Sequence, residues 1–434
     1  MTTGSSREKT KVPARSQSEA SRWSRWWRSL GPGLTTGAAD DDPSGIATYS
    51  ITGAQFGNQF LWTALLTWPL MACVQMMSAR IGMVSGCGLA GAFRLKFPRW
   101  LSALFAAALF AANTINIASD LAGMGDAASM LVRGPPLLYA TAFGLLLCAV
   151  AVRLRYRQIA RALQWLTLAL FAYVAAAFLV HVDWRDVAKS TFIPTLPHGR
   201  EAWATLVAIL GTTISPYLFY WQAGQEIEEQ KAEGLDSVAL RRGSTERKID
   251  DRRIDVATGT FASNLIMFFI IVTTAATLHA SGHTHVETTR QAAEALRPLA
   301  GDVSYWLFAA GLIGTGLLAV PVLAGSAAYA FAETFDWRYG LDQKFRRAPA
   351  FYVVFILATV LAILIDAFGI DPMKALFWSA VLNGLLAPLV LVCMYLVSRD
   401  SKIMAGQVTP RWVRAIVAIT TLLMVGAAIG MFVF

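Results

Sequence analysis

The stretch TTGAADDDPSGIATYS, Thr35 to Ser50, sets three aspartates beside a proline and a glycine inside an otherwise apolar segment. Carboxylates are hard oxygen donors. Pro43 cannot donate a backbone hydrogen bond, and Gly45 tolerates unusual dihedrals. Asp42-Pro43-Ser44-Gly45 therefore reads as a helix break offering carboxylate and freed carbonyl oxygens together, a chemistry suited to a cation. A second stretch, TLVAILGTTISPYLFYWQAGQEIEEQ (205–230), repeats the pattern. It carries Thr212, Thr213, Ser215 and Pro216 midway and resumes with an apolar-aromatic half ending in Glu226, Glu228 and Glu229. The plainer readings are a surface loop for the aspartates and two Pro-kinked structural helices.

The elements that would position these residues decide between the readings. The chain has 434 residues, 56% hydrophobic and 15% charged, with a mean hydropathy of +0.50, a composition outside the soluble globular range. A membrane-spanning helix needs about 20 mostly apolar residues. Candidate spans fall near 32–55, 59–79, 101–124, 136–152, 162–181, 202–229, 255–279, 304–331, 350–366, 373–398 and 412–433, eleven in all. With the N-terminus placed in the cytoplasm, 30 of the 37 Lys and Arg fall on the cytoplasmic side, as the positive-inside rule expects, and the C-terminus is then outside. The basic balance is thus a topology signal and not a sign of nucleic-acid binding.

Residues 1–29 read as a disordered cytoplasmic N-terminus whose SRWSRWWRSL segment (21–30) suits an interfacial anchor. No secretory signal is visible, and Cys73, Cys87, Cys148 and Cys393 imply no disulfide framework. Breaks in spans one and six, five spans apart, suggest two five-helix inverted repeats, about 30–182 and 201–398, with an eleventh helix at 410–434 and a substrate site between the repeats. An intramembrane ionisable group at such a break is a functional hypothesis by default.

These residues resemble a known family. Asp42-Pro43-Ser44-Gly45 resembles the Asp-Pro-Gly-Asn signature of the NRAMP divalent-metal transporters. GTTISPY (211–217) is similar to that family's Gly-Ala-Thr-Val-Met-Pro-His, and NTINIASDLAGMG (113–125) to its third span. The resemblance covers 30–434 and implies an all-α, LeuT-type fold that moves a divalent cation inward by alternating access. It also implies a metal held by the signature Asp and Asn, a span-six carbonyl and a Met thioether. Asp42 matches the Asp, Gly45 stands in place of the Asn, Thr212 offers the carbonyl and Ser215 replaces the Met.

An oxygen-only site suits a partly hydrated Mg²⁺, with Mn²⁺ also accepted, because Mg²⁺ keeps its waters and soft sulfur favours transition metals. This pattern is similar to the NRAMP-related magnesium transporter branch. Tyr217 stands in place of the family's relay His, Gly123 in place of a span-three Glu, and Asp120 matches the neighbouring Asp. A phenol ionises only at about pH 10, so uncoupled uptake is the expectation.

Further candidates are Asp41 and Asp40 as staging carboxylates, Glu226 and Glu229 on one face of the cytoplasmic half of span six, and Asn383 mid-span ten. Asn383, like Asn113, Asn116 and Ser119, also reads as a helix–helix hydrogen-bonding residue. His279, His283 and His285 form a cluster that reads as a solvated loop or as a transition-metal trap. The competing functions are a proton-coupled importer of Mn²⁺ or another transition metal, and a sodium-coupled amino acid or amine transporter on the same fold. Three aspartates at the break argue against a carboxylate substrate. No catalytic constellation supports an enzyme. No resident cofactor is expected, the partners are the metal ion and the bilayer, and a monomer in a bacterial inner membrane is the expected state.

Overall fold

The computed structural model describes residues 31–153, 170–369 and 371–434. The expected N-terminal segment 1–29 and the start of span five lie outside the described residues. Among the described residues every regular element is helical. The first span is two half-helices, α1 (Pro32–Asp40) and α2 (Pro43–Phe56), followed by α3 (Leu61–Ser85), a short α4 (Leu89–Lys96), α5 (Arg99–Leu131) and α6 (Pro136–Arg153). The end of span five is α7 (Phe171–Leu179), and α8 (Trp184–Phe192) leads to the second broken span, α9 (Arg200–Thr213) and α10 (Pro216–Ala232). Then come α11 (Val238–Arg241), α12 (Glu246–Thr274), α13 (Thr289–Glu294), α14 (Arg297–Ala300), α15 (Ser304–Phe335), α16 (Pro349–Asp366), α17 (Pro372–Ser398) and α18 (Arg411–Val433).

Nine helical segments of the described residues are long and apolar enough to cross a membrane. One of them, Pro43–Ser85, joins the second half of span one to span two through a 3₁₀ turn at Gly57–Phe60. Of span five, the described residues hold the end, Phe171–Leu179. Span seven begins at Glu246, earlier than hydropathy suggests, because Thr245 caps it by accepting from the Lys248 N–H and its first turns are charged. Charged residues extend this helix past the apolar slab, where a hydropathy window cannot see them.

Both breaks arise at an X-Pro step. Proline disfavours helical dihedrals in the residue before it. Asp42 is accordingly extended (φ −68°, ψ 170°) ahead of Pro43, and Ser215 is extended (φ −80°, ψ 132°) ahead of Pro216. Each proline then opens the next half-helix at its first turn, where its missing N–H costs nothing.

The packing exchanges the halves of the chain. Broken span one (α1 and α2) lies along α12 of the second half, while α10 lies along α3 of the first. Between them α5 packs lengthwise on α15. The crossings are close: a Cβ on Gly37 would collide with the Gly259 backbone, and one on Gly211 with the Ala380 carbonyl. α1 and α9 thus touch their neighbours backbone to backbone, and this brings the two breaks together at the centre.

Candidate functional site

Asp42 stands at the centre, 2% exposed. As N-cap of α2 it turns one oxygen, Oδ1, to the Gly45 N–H (2.8 Å) and the Ser44 hydroxyl (2.6 Å). The other, Oδ2, accepts from Tyr217 OH at 3.1 Å and from Asn116 Nδ2 at 3.3 Å. Four donors from three spans therefore meet one carboxylate, and each such hydrogen bond is of the strong, charge-assisted kind when the acceptor is ionised. Gly45 contributes only its N–H. A Cβ there would sit 3.4 Å from the Asp40 carbonyl and the Tyr49 ring, ordinary contact.

The second break is built differently. The Ser215 hydroxyl does not cap α10; it turns back onto the carbonyls of Gly211 (2.5 Å) and Thr212 (2.8 Å). Thr212 carries the carbonyl that the sequence assigned to an ion, and in this structure that oxygen already has a donor. Its own hydroxyl lies 2.9 Å from Tyr49 OH. Tyr217 reaches across to the first break, donating to Asp42 and lying 3.3 Å from the Ala39 carbonyl freed at the end of α1.

The three aspartates do not converge. Asp42 faces α5 and α10, whereas Asp40 and Asp41 face α12, where both reach the Ser263 hydroxyl at 2.6 and 3.0 Å. Asp41 is thus placed apart from the Asp42 carboxylate's partners. Asn383 is buried on α17 with no partner for its Nδ2, next to Gly384, whose backbone packs on Val207. Among the described residues no hydrogen bond joins it to Asp42.

Glu226 lies in a separate network from the partners of Asp42. It lies 2.7 Å from Arg252 Nε as an ion pair and accepts from Gln222 Nε2 at 2.8 Å. Arg252 also pairs with Glu229 and, at 2.6 Å, with Asp255. Asp255 in turn accepts the Gly31 and Gly33 N–H groups at 2.8 and 2.7 Å, capping the N-terminus of α1 where the helix dipole favours an anion. Thr36 on α1 closes the ring, 2.7 Å from Gln222 Oε1. Glu226 is therefore paired with Arg252 in this closed structure.

Arg252 and Asp255 were missed by sequence reasoning. Their spacing of three on a helix was a signal, but their partners on α1 and α10 are distant in the chain. His279 Nδ1 lies 2.8 Å from the Ala54 carbonyl near the end of α2, and among the described residues no three or more His, Cys, Asp or Glu gather to hold a metal ion.

This ring carries a prediction. Arg252→Met leaves buried acids unpaired, a change of about 3–5 kcal/mol for a broken buried pair. Loosening of α1 should expose Ala39, fully buried in the intact structure. A cysteine placed at that position, with the native cysteines replaced, is expected to react faster with a water-soluble maleimide in the Arg252→Met protein. An unchanged rate shows that the ring does not hold α1.

Comparison with known proteins agrees with this geometry. Residues 33–434 match the family model described as natural resistance-associated macrophage protein-like, Nramp. A relative from Klebsiella pneumoniae, the divalent metal cation transporter MntH, is 29% identical over 429 residues, covering 92% of this chain and 94% of its own. The crystal structure of the Eremococcus coleocola manganese transporter, in complex with an aromatic bis-isothiourea compound, superposes with a TM-score of 0.74 at 19% identity, covering 96% of this chain and 87% of that one. MhsT in complex with L-phenylalanine shares the fold more distantly, at a TM-score of 0.54 and 16% identity over 94% of this chain and 99% of that one. The all-α architecture is thus the LeuT-type fold of two inverted five-helix repeats and an added helix, and the chain belongs to the Nramp family.

Proposed function

We propose that this protein carries a divalent metal cation into the cell by alternating access, favouring partly hydrated Mg²⁺ and accepting Mn²⁺, without moving protons. The observation that carries this reading is the chemistry of the two breaks. Asp42 supplies a buried carboxylate, and the side chain at the family's thioether position is a hydroxyl already bonded to Gly211 and Thr212. An ion beside Asp42 meets only oxygen, and the span-six carbonyls reach it through water unless Ser215 lets go. A hard ion that dehydrates reluctantly fits such a site better than a soft one.

Two observations support uncoupled movement. Tyr217 donates its proton to Asp42 and stands where a relay imidazole would be. Gly123, at the position where the resemblance places a span-three acid, brings no side chain to the site. The membrane potential then drives entry, worth about 4.6 kcal/mol for a dication per 100 mV. The placement of Lys and Arg supports a cytoplasmic N-terminus, which puts the Arg252 ring at the inner end of α1. The ring has to open for release inward. The names of the relatives support a divalent cation as cargo and favour it over an amino acid.

Asp42→Asn keeps the shape but loses the charge. It is expected to abolish divalent uptake into proteoliposomes while the protein stays monodisperse; uptake near the wild-type rate removes Asp42 from the path. Ser215→Met frees two carbonyls and adds a soft ligand. It is expected to lower Mg²⁺ uptake more than Mn²⁺ uptake, by ~1–2 kcal/mol or about ten- to thirtyfold in relative preference, and Gly45→Asn added to it deepens the difference. Competition uptake with both ions reads this directly. An equal fall for both ions contradicts the hard-ion reading.

A further inference from the structure

Asp42 has one carboxylate, and a second buried carboxyl with no established task lies close to it. Asp120 sits mid-way along α5, fully buried, and neither of its oxygens makes a well-formed hydrogen bond, the Ser44 amide being the one donor within reach. It lies beside the Ser44 backbone amide and within electrostatic range of Asp42 and Tyr217. One turn earlier on the same face of α5 is Asn116, also fully buried. Its Nδ2 donates to Asp42 Oδ2 at 3.3 Å, which fixes the amide's orientation, because a carboxylate accepts only. Asn116 Oδ1 is then the free end of the group, and it too has no partner.

A buried acceptor without a well-placed donor is unusual, and Asn116 and Asp120 bring such acceptors to one helical turn beside the Asp42 carboxylate. Among the described residues no Lys or Arg forms an ion pair with Asp42 or Asp120. The contrast with the other buried acids is plain. Glu226 and Asp255 share Arg252, and Glu228 has Lys231 at 2.9 Å. Two like charges in a dry site repel unless something of opposite charge lies between them.

We propose that the transported dication is held between Asp42 and Asp120, with Asn116 Oδ1 as a third oxygen donor, so that one ion balances both carboxylates. This rests on the divalent-transport reading above and names the ligands of that same site. It moves the centre of coordination from span six to span three. α5 then contributes two donors and the Ser215 break contributes water-mediated contacts only. Ligands on α2 and α5 are all carboxylate or amide oxygen, and the remaining positions of the ion's shell are left to water.

Direct binding tests this. Mg²⁺ and Mn²⁺ are titrated calorimetrically into detergent-purified wild type, Asp120→Asn and Asn116→Leu, each checked for a monodisperse elution profile. Wild type is expected to bind one ion. Asp120→Asn should weaken both metals by at least about thirtyfold, and the near-isosteric Asn116→Leu by about three- to tenfold, on the scale where tenfold is one step of ligand loss. Wild-type affinity in Asp120→Asn overturns the proposal and leaves Asp120 a protonated structural group. Should Asp120→Asn not fold, unchanged affinity in Asn116→Leu overturns it equally. A wild type that binds and transports neither metal is a different result, since it sinks the transport reading itself.

Discussion

A helix interrupted inside an apolar slab must find partners for the backbone groups it frees, and the two Pro-directed breaks of this chain are organised around that need. They solve it in opposite directions. At the first, the Asp42 side chain reaches forward to cap the half-helix that follows, at Gly45. At the second, the Ser215 hydroxyl reaches backward to the half-helix that precedes it, at Gly211 and Thr212. The first break therefore carries an acidic side chain, and the second a hydroxyl with its carbonyls engaged. That asymmetry is the physical basis for proposing that the ion is gathered on the span-one side.

The same accounting explains how α1 is held. Its N-terminal amides meet Asp255, and the Ala39 carbonyl near its other end meets Tyr217. Between them, Thr36 ties it to Gln222 and so to Glu226 and Arg252. A nine-residue half-helix is too short to persist alone, so it moves as a unit or not at all. With Asp42, Tyr217 and Asp120 all 2% exposed or less, the structure is closed around the candidate site, and an ion reaches it only when an end opens.

Much of this was legible in the sequence because the signals are local. Prolines 43 and 216 announce both breaks, and apolar length announces the spans. Asp42 stood out as a carboxylate in apolar surroundings. What failed to show was pairing across the fold. Glu226 looked available because Arg252, which neutralises it, lies beyond a loop in the next span. Ser215 looked aimed at a ligand because nothing in sequence says which way a hydroxyl turns at a break. Asp40 and Asp41 read as pointing away from Asp42, but their shared partner did not show: the backbone sends Asp42 toward α5 and the other two toward Ser263. Asn116 read as a helix–helix hydrogen bond, and only its geometry shows an amide with one end on Asp42 and the other free.

The central claim is that buried oxygen ligands pass a hydrated dication down its electrical gradient with no proton attached. Its most direct test is uptake by the wild-type protein in liposomes carrying an internal pH dye, with Mg²⁺, Mn²⁺ and Ca²⁺ compared under an imposed potential. The account predicts that Mg²⁺ and Mn²⁺ enter at rates that rise with inside-negative potential while the interior pH stays constant. Acidification that tracks metal entry, or uptake confined to Mn²⁺, contradicts it.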